Sequence, residues 1–170
     1  MFSKKRIIYS FADRVQFWNQ GFNMFFDIDG TIASMDKGIL RPGIEKLFEL
    51  QTSKYKHRIY LWSSGGVKRC KSVADRFGLN KYVSGYFEKP PYDSHHNLRI
   101  AKCNVVPTFC YDDDPSDVIK TYGGLVVKPF VSYNIEDEEY IAMIHFAGVF
   151  PRRLHSTDLF IKYTSDYRII

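Results

Sequence analysis

The sequence predicts an α/β fold built around a parallel sheet, and two observations lead to this. Short apolar runs alternate with segments in which apolar residues recur every three or four positions, the patterns of buried strands and of amphipathic helices respectively. Strands that alternate with helices imply right-handed βαβ units and a parallel sheet covered on both faces. The 170 residues suit a single domain with one core.

Composition restricts the class of protein further. Hydrophobic residues make up 45% and aromatic residues 16% of the chain, which supports a packed core and excludes a disordered chain. The net charge of +5 is compatible with a nucleic-acid partner but does not establish one. The three cysteines are odd in number and lack metal-ligand spacing, so we expect reduced thiols. The sequence has no apolar run of membrane-spanning length and no signal-peptide pattern, which predicts a cytoplasmic protein without a membrane span.

The elements follow in chain order. Residues 4–20 carry Ile8, Phe11, Val15 and Trp18 at helical spacing, which predicts a helix that either packs on the sheet or binds a partner or a membrane surface. The predicted strands are apolar runs at 24–28, 57–64, 83–89, 105–114 and 125–130. The predicted helices are amphipathic or capped segments at 41–51, 66–78, 96–104, 115–124 and 136–148. The tail after Pro151 could form an edge strand or a subunit contact.

Polar residues follow four of the predicted strands. They are, in chain order, Asp27 and Asp29, Ser63 and Ser64, Lys89, and Asp112 to Asp114. Ligands of open parallel sheets bind beyond the carboxyl ends of the strands, so these side chains are expected to meet at one edge of the sheet.

These residue types favour phosphoryl chemistry around a metal ion. Clustered carboxylates repel each other unless a cation intervenes, and Mg²⁺ prefers oxygen ligands and phosphate oxygens. A lysine and a serine suit the phosphate group by charge and by hydrogen bond. One aspartate can attack phosphorus, while a second, two residues further along an extended chain, lies on the same side and can transfer the proton.

The stretch "DIDGT", residues 27–31, resembles the DxDGT signature of the haloacid dehalogenase-like phosphatases. The resemblance covers about residues 22–130 and implies a Rossmann-like three-layer α/β/α fold, aspartyl-phosphate chemistry and Mg²⁺. Together with the length and the pattern of the two ends, which lie outside the resemblance, this predicts one domain over 1–170 with a helical extension at 1–21, a catalytic core at 22–130, and a C-terminal helix and tail at 131–170. Some similarity to the carboxy-terminal-domain phosphatases of RNA polymerase lies in "LWSSGGVKRCKSVAD".

The resemblance assigns a role to each matched position. Asp27 would be the nucleophile and a metal ligand, and Asp29 would be the general acid and base, with its backbone carbonyl also on the metal. Ser63 would bind the phosphoryl group, with Ser64 as its competitor. Lys89 in "EKPP" matches the third motif, with Lys102 as the alternative.

The remaining assignments concern the last motif and the phosphate site. In "YDDDPSD" Asp113 is preferred over Asp112 as the direct Mg²⁺ ligand, because this alignment places Asp117 four residues later. The residues expected to contact the substrate are Thr31, Ser63, Ser64, Gly65 and Lys89.

The resemblance also bears on the substrate, because many members of this superfamily insert a cap domain over the site. The gaps after Thr31 and between Ser64 and Lys89 leave no room for a cap, although residues 34–40 can form a small hairpin flap. An open site suits a phosphate on a protein or a nucleic-acid end, unless a partner subunit covers it. The alternatives to a hydrolase are a non-catalytic phosphate-binding or scaffolding subunit and a phosphotransferase.

Overall fold

The computed structural model describes residues 7–9, 23–89, 109–119, 123–144 and 146. These residues form an α/β structure around a six-stranded sheet with the strand order β1-β6-β5-β2-β3-β4. The strands are β1 (Ile7–Tyr9), β2 (Asn23–Asp27), β3 (Arg58–Ser63), β4 (Val83–Glu88), β5 (Phe109–Asp112) and β6 (Gly123–Val126). Strands β2 to β6 are all parallel, and β1 pairs antiparallel with β6. The predicted parallel sheet is thereby confirmed.

Helical segments connect the strands. They are α1 (Ile44–Glu49), which continues as a π-helical turn (Leu50–Lys54), α2 (Gly66–Arg76) and α3 (Pro115–Ile119). Residues 139–144 and 146 are also helical. In the part of the chain that the structure describes, no helix is long and apolar enough to cross a membrane.

The core forms because alternate residues of the buried strands point to opposite faces of the sheet. On one face Met24 and Phe26 pack with residues of α1 and α2 and with Met143 and Phe146 of the C-terminal helical residues. On the other face Phe25 packs with Tyr60, Trp62 and Cys110, and its ring stacks on Tyr60 at a centroid distance of 5.0 Å. Strand β2 is therefore buried on both sides, as a central parallel strand should be.

Several predicted boundaries need correction. The predicted helix at 4–20 is wrong at Ile7–Tyr9, which form an edge strand, because a short β-branched and aromatic run fits a sheet edge as well as a helix face. Helix α1 begins at Ile44 rather than at residue 41, after Gly43 with its φ of 81°. Strand β6 covers 123–126 rather than 125–130. The predicted helix at 96–104, Lys102 and the tail after Pro151 lie outside the described residues.

The strand order places a crevice beside β2. This strand lies between β3 and β5, so the chain moves outward from it in opposite directions in the two halves of the sheet. Such a switch point opens a crevice beyond the carboxyl ends of the two central strands, where ligands of open α/β sheets bind. Asp27 ends β2 and Asp112 ends β5, and both carboxylates therefore lie at this position.

A small hairpin follows the β2 loop, as predicted. Ala33 and Leu40 form an antiparallel bridge, and the Ser34 N–H donates to Ile39 O at 2.8 Å. Residues 35–37 form the turn. Between Thr31 and Lys89 the structure contains only this hairpin, α1 with its π-helical turn, β3, α2 and β4, so neither predicted insertion point holds a further domain.

A buried arginine ties the β2 loop to the segment after β6. The Arg41 guanidinium is fully buried and lies 3.0 Å from Asp137 Oδ1. It donates to Thr31 O at 2.9 Å and to Lys128 O at 2.6 Å. The Phe130 N–H also donates to Gly30 O at 2.8 Å. The loop that follows Asp27 is thus held by residues about a hundred positions further along the chain.

We expect Asp137→Asn to destabilise the fold by about 3 kcal/mol, because the buried Arg41 charge loses its counter-ion. The amide oxygen can still accept the Glu139 N–H that Asp137 Oδ1 accepts at 3.2 Å, so the change removes charge with little loss of capping. Urea unfolding midpoints measure the effect. The matched control is Glu45→Gln, which breaks the exposed Lys81–Glu45 ion pair and should leave the midpoint nearly unchanged. Equal shifts for the two variants would contradict the prediction.

Candidate functional site

Lys89 lies at the centre of the crevice. Its backbone N–H donates to Ser63 O at 3.0 Å, which places the side chain at the carboxyl end of β3. The ammonium lies 2.7 Å from Asp27 Oδ1, 2.8 Å from Asp112 Oδ2 and 2.9 Å from Asp117 Oδ2. The Lys89 side chain is only 9% exposed. One cation therefore joins the ends of β2, β4 and β5 and the first turn of α3.

Thr31 links the loop after β2 to the loop after β5, and it contacts the Asp27 oxygen that Lys89 does not contact. Its hydroxyl donates to Asp27 Oδ2 at 3.0 Å and accepts the Asp113 N–H at 3.2 Å. Gly30 permits this approach: its φ is 84°, and a Cβ at this position would lie 2.8 Å from Asp113 Oδ2. Both oxygens of Asp27 thus have partners, which hold the carboxylate in one orientation.

The loop after β5 is stabilised by its own aspartates. Asp112 Oδ1 accepts the Asp114 N–H at 2.9 Å, and Asp114 Oδ1 accepts the Ser116 N–H at 2.8 Å. The second bond is a side-chain cap at the start of α3, a position that favours aspartate. Of the three consecutive acids, Asp114 therefore caps the helix, while Asp112 and Asp113 lie near Asp27 in the crevice.

Burial shifts the pKa values of this cluster. Burial raises the pKa of Asp27 to about 6, although the neighbouring Lys89 charge acts to lower it. The pKa of Asp112 is raised well above its ordinary value, first by burial and then by the Asp27 charge, and burial also raises that of Asp113. Burial would lower the pKa of Lys89, but the charges of Asp27 and Asp112 outweigh it and the pKa is raised.

The carboxylates of the crevice could hold a metal ion. Asp27, Asp112 and Asp113 each offer an oxygen atom, and these atoms lie within 4.8 Å of one another. With Asp117, four carboxylates surround Lys89, the one ammonium that the described part of the chain brings into this cluster. Oxygen ligands and an excess of negative charge are what Mg²⁺ requires, and a divalent cation would reduce the repulsion that the raised pKa values express. The donor set therefore fits the predicted cofactor.

Asp29 lies apart from these carboxylates. Its side chain is 42% exposed and forms an ion pair with Arg69 of α2. The Arg69 Nη2 and Nε groups donate to the two carboxylate oxygens at 2.5 Å and 3.3 Å. The contact of the Asp29 carbonyl with a metal stays a prediction.

The serines at the end of β3 differ in exposure. Ser63 is 2% exposed and reaches the cluster through its carbonyl oxygen, which accepts the Lys89 N–H, while its Oγ accepts the Gly65 N–H at 3.0 Å. Ser64 and Gly65 are exposed on the turn before α2. The predicted phosphate-binding residues thus line the β3–α2 turn, and the choice of Ser63 over Ser64 stays a prediction.

Two residues that contact the site, Asp117 and Arg69, were not predicted from the sequence to do so. Asp117 contacts Lys89 directly, and its only sequence signal was the spacing of four residues from Asp113. Arg69 pairs with Asp29, yet on an amphipathic helix it resembles an ordinary solvent-exposed cation. The signal that could have found it is its place in the first turn of the helix that starts at the sheet edge.

Comparisons with known proteins provide no assignment for this site. No protein-family model matches the chain, and no curated protein matches it significantly.

We expect the stability contribution of Asp27 in the metal-free protein to fall as the pH rises from about 4 to 7. The folded state raises the pKa of Asp27 from 3.8 to about 6, so it binds the proton more tightly than the unfolded state does. This contribution is fully present below pH 4 and is lost as the pH rises through 6.

The measurement is urea unfolding of the wild type and of Asp27→Asn in excess chelator across this pH range. The free energy of unfolding of the wild type relative to that of the variant should decrease by about 2 kcal/mol. A difference that stays constant with pH would contradict the raised pKa.

Proposed function

We propose that this protein is a Mg²⁺-dependent phosphomonoester hydrolase of the haloacid dehalogenase-like type, acting through an aspartyl-phosphate. The observation that carries the proposal is the buried Asp27 carboxylate at the switch point, ion-paired with Lys89 and surrounded by further acids. A pKa of about 6 leaves this carboxylate ionised at neutral pH and therefore able to act as a nucleophile. The three-layer α/β/α form of the fold, without a cap domain, belongs to the same proposal.

In the first step a carboxylate oxygen of Asp27 attacks phosphorus, and the bond between phosphorus and the ester oxygen breaks. Asp29 donates a proton to the departing oxygen, so the products are an alcohol and the Asp27 aspartyl-phosphate. Lys89 and Thr31 hold Asp27 in orientation before the attack. The β3–α2 turn, with Ser63, Ser64 and Gly65, offers hydrogen-bond donors to phosphoryl oxygens. Lys89 would exchange one of its three carboxylate contacts for a phosphoryl oxygen.

In the second step water attacks the phosphorus of the intermediate. Asp29, now a carboxylate, accepts a proton from this water, and the bond from phosphorus to Asp27 breaks. Inorganic phosphate leaves, and Asp27 returns as a carboxylate beside Lys89. The exposure of the Asp29 side chain provides the access to solvent that this step requires.

The residues that would hold Mg²⁺ are Asp27, Asp112 and Asp113, together with the backbone carbonyl of Asp29. When bound, the ion neutralises the negative charge that builds up on the phosphoryl oxygens. Both Asp112 and Asp113 offer an oxygen to the site. Asp112 is also engaged by Lys89 and by the Asp114 N–H, which leaves Asp113 the freer of the two.

The substrate that fits best is a phosphate carried on a large molecule. Besides the elements of the sheet and its helices, the described residues between Thr31 and Lys89 contain only the short hairpin bridged at Ala33 and Leu40, and the side chain of Asp29 is reachable from solvent. A phosphoprotein and a phosphorylated nucleic-acid end both meet this condition. Release of phosphate from phosphopeptides, compared with 3′- and 5′-phosphorylated oligonucleotides, distinguishes them.

We expect Asp27→Asn to abolish Mg²⁺-dependent hydrolysis of p-nitrophenyl phosphate, because the amide is not a nucleophile. The loss should exceed 10³-fold in kcat while the folded structure, followed by circular dichroism, is retained. The matched control is Asp36→Asn on the exposed hairpin turn, which should keep full activity. Turnover in purified Asp27→Asn would exclude Asp27 as the nucleophile, and an inactive, metal-loaded wild type would favour a scaffolding role.

We expect Mg²⁺ to bind with release of protons and with an affinity that weakens below about pH 6. Burial raises the pKa values of Asp27 and Asp112, and these carboxylates must lose their protons to become ligands. Isothermal titration calorimetry in two buffers of different ionisation enthalpy measures both effects. Asp113→Asn should weaken binding at least tenfold, while Asp36→Asn should not. An affinity independent of pH would place the metal elsewhere.

A further inference from the structure

Arg69 approaches the site from a different element than the other residues of the crevice. It lies in the first turn of α2 (Gly66–Arg76), whereas its partner Asp29 lies in the loop after β2, forty residues earlier. The guanidinium donates to both oxygens of the Asp29 carboxylate. A planar guanidinium that bonds both oxygens fixes the plane of a carboxylate as well as its position. The hydrogen bonds with Asp29 also raise the pKa of Arg69.

Two glycines lie beside the Arg69 side chain, which is 35% exposed. A Cβ on Gly65 would lie 3.3 Å from the Arg69 Cβ, and one on Gly38 would lie 3.2 Å from Arg69 Nη2. Gly38 is buried with a φ of 60° at the hairpin, so this position admits the guanidinium because it has no side chain. The β3–α2 turn and the hairpin thus approach Arg69 closely from two sides, and side chains at Gly65 or Gly38 would crowd it.

We propose that Arg69 is a positioning residue for the Asp29 carboxyl group: in the ionised form both oxygens accept its N–H groups, and in the protonated form one oxygen keeps this contact while the other carries the proton that is transferred to the leaving oxygen. This inference rests on the proposed function, in which Asp29 is the general acid. Proton transfer requires the acid to lie within hydrogen-bond reach of the leaving atom. The Asp29 side chain is 42% exposed, and without Arg69 it would sample several rotamers. The contact of one carboxyl oxygen with Arg69 selects one of them and leaves the other oxygen free to carry the proton.

The expected signature is a dependence on the leaving group. p-Nitrophenolate is a weak base and departs without much help from an acid, whereas phenolate is more basic and needs the proton. p-Nitrophenyl phosphate and phenyl phosphate are similar in size, so they differ mainly in this need. The kcat/KM value covers the steps up to formation of the aspartyl-phosphate, which is where the acid acts.

The experiment compares kcat/KM for the two esters in Arg69→Gln and in the wild type, both loaded with Mg²⁺. We expect the variant to lose about tenfold more activity on phenyl phosphate than on p-nitrophenyl phosphate. Arg69→Lys should show an intermediate loss, because a lysine provides charge without the two-pronged geometry. Lys68→Gln, at the exposed neighbouring position of α2, removes the same charge and should leave both values unchanged.

A double-mutant cycle with Asp29→Asn tests whether Arg69 acts through Asp29. In the Asp29→Asn background, Arg69→Gln should cause no further leaving-group-dependent loss. An equal loss on both esters, or a loss that persists in that background, would show that Arg69 binds the phosphate itself and would overturn the proposal. If the wild type hydrolyses neither ester, the proposed function fails before this comparison begins, so the two failures are distinguishable.

Discussion

The ammonium group of Lys89 is the interaction on which the architecture of the site depends. It contacts carboxylates from the end of β2, the end of β5 and the first turn of α3, and its backbone is bonded to the end of β3. A buried cation is tolerated only with partners that compensate its desolvation, and buried carboxylates need a cation for the same reason. The pairing of β3 with β4 therefore does more than build the sheet, since it determines where this charge lies.

The crevice contains more carboxylates than cations. Lys89 cannot compensate four neighbouring carboxylates, and the raised pKa values of Asp27, Asp112 and Asp113 express that deficit. Thr31 contributes only hydrogen bonds, so it orients Asp27 without changing the charge. The cluster without a metal thus binds protons more tightly than separate exposed carboxylates would. This property connects the packing of the strand ends to the chemistry proposed for them.

Local pattern was enough to predict the parallel sheet and the acids at its edge, because burial of β2 and β3 leaves continuous apolar runs that end at polar residues. It was not enough for features that depend on distant partners. The strand Ile7–Tyr9 owes its conformation to pairing with β6, and nothing near it in the sequence signals that pairing. Arg41 reads as a surface cation, yet it is buried against Asp137. The contact of Arg69 with Asp29 is equally invisible, since it joins a helix face to a loop forty residues away.

The contacts of the buried Arg41 have a consequence for how the chain folds. Its bonds to Lys128 and Asp137 span 87 and 96 residues, and loop closure over such distances is slow compared with the formation of local helices and turns. The turn that carries Gly30 and Thr31 is fastened on one side by these late contacts. During synthesis the loop after β2 therefore emerges long before the segment that secures it. Assembly of the crevice is expected to be among the last events of folding, after the strands that frame it have already paired.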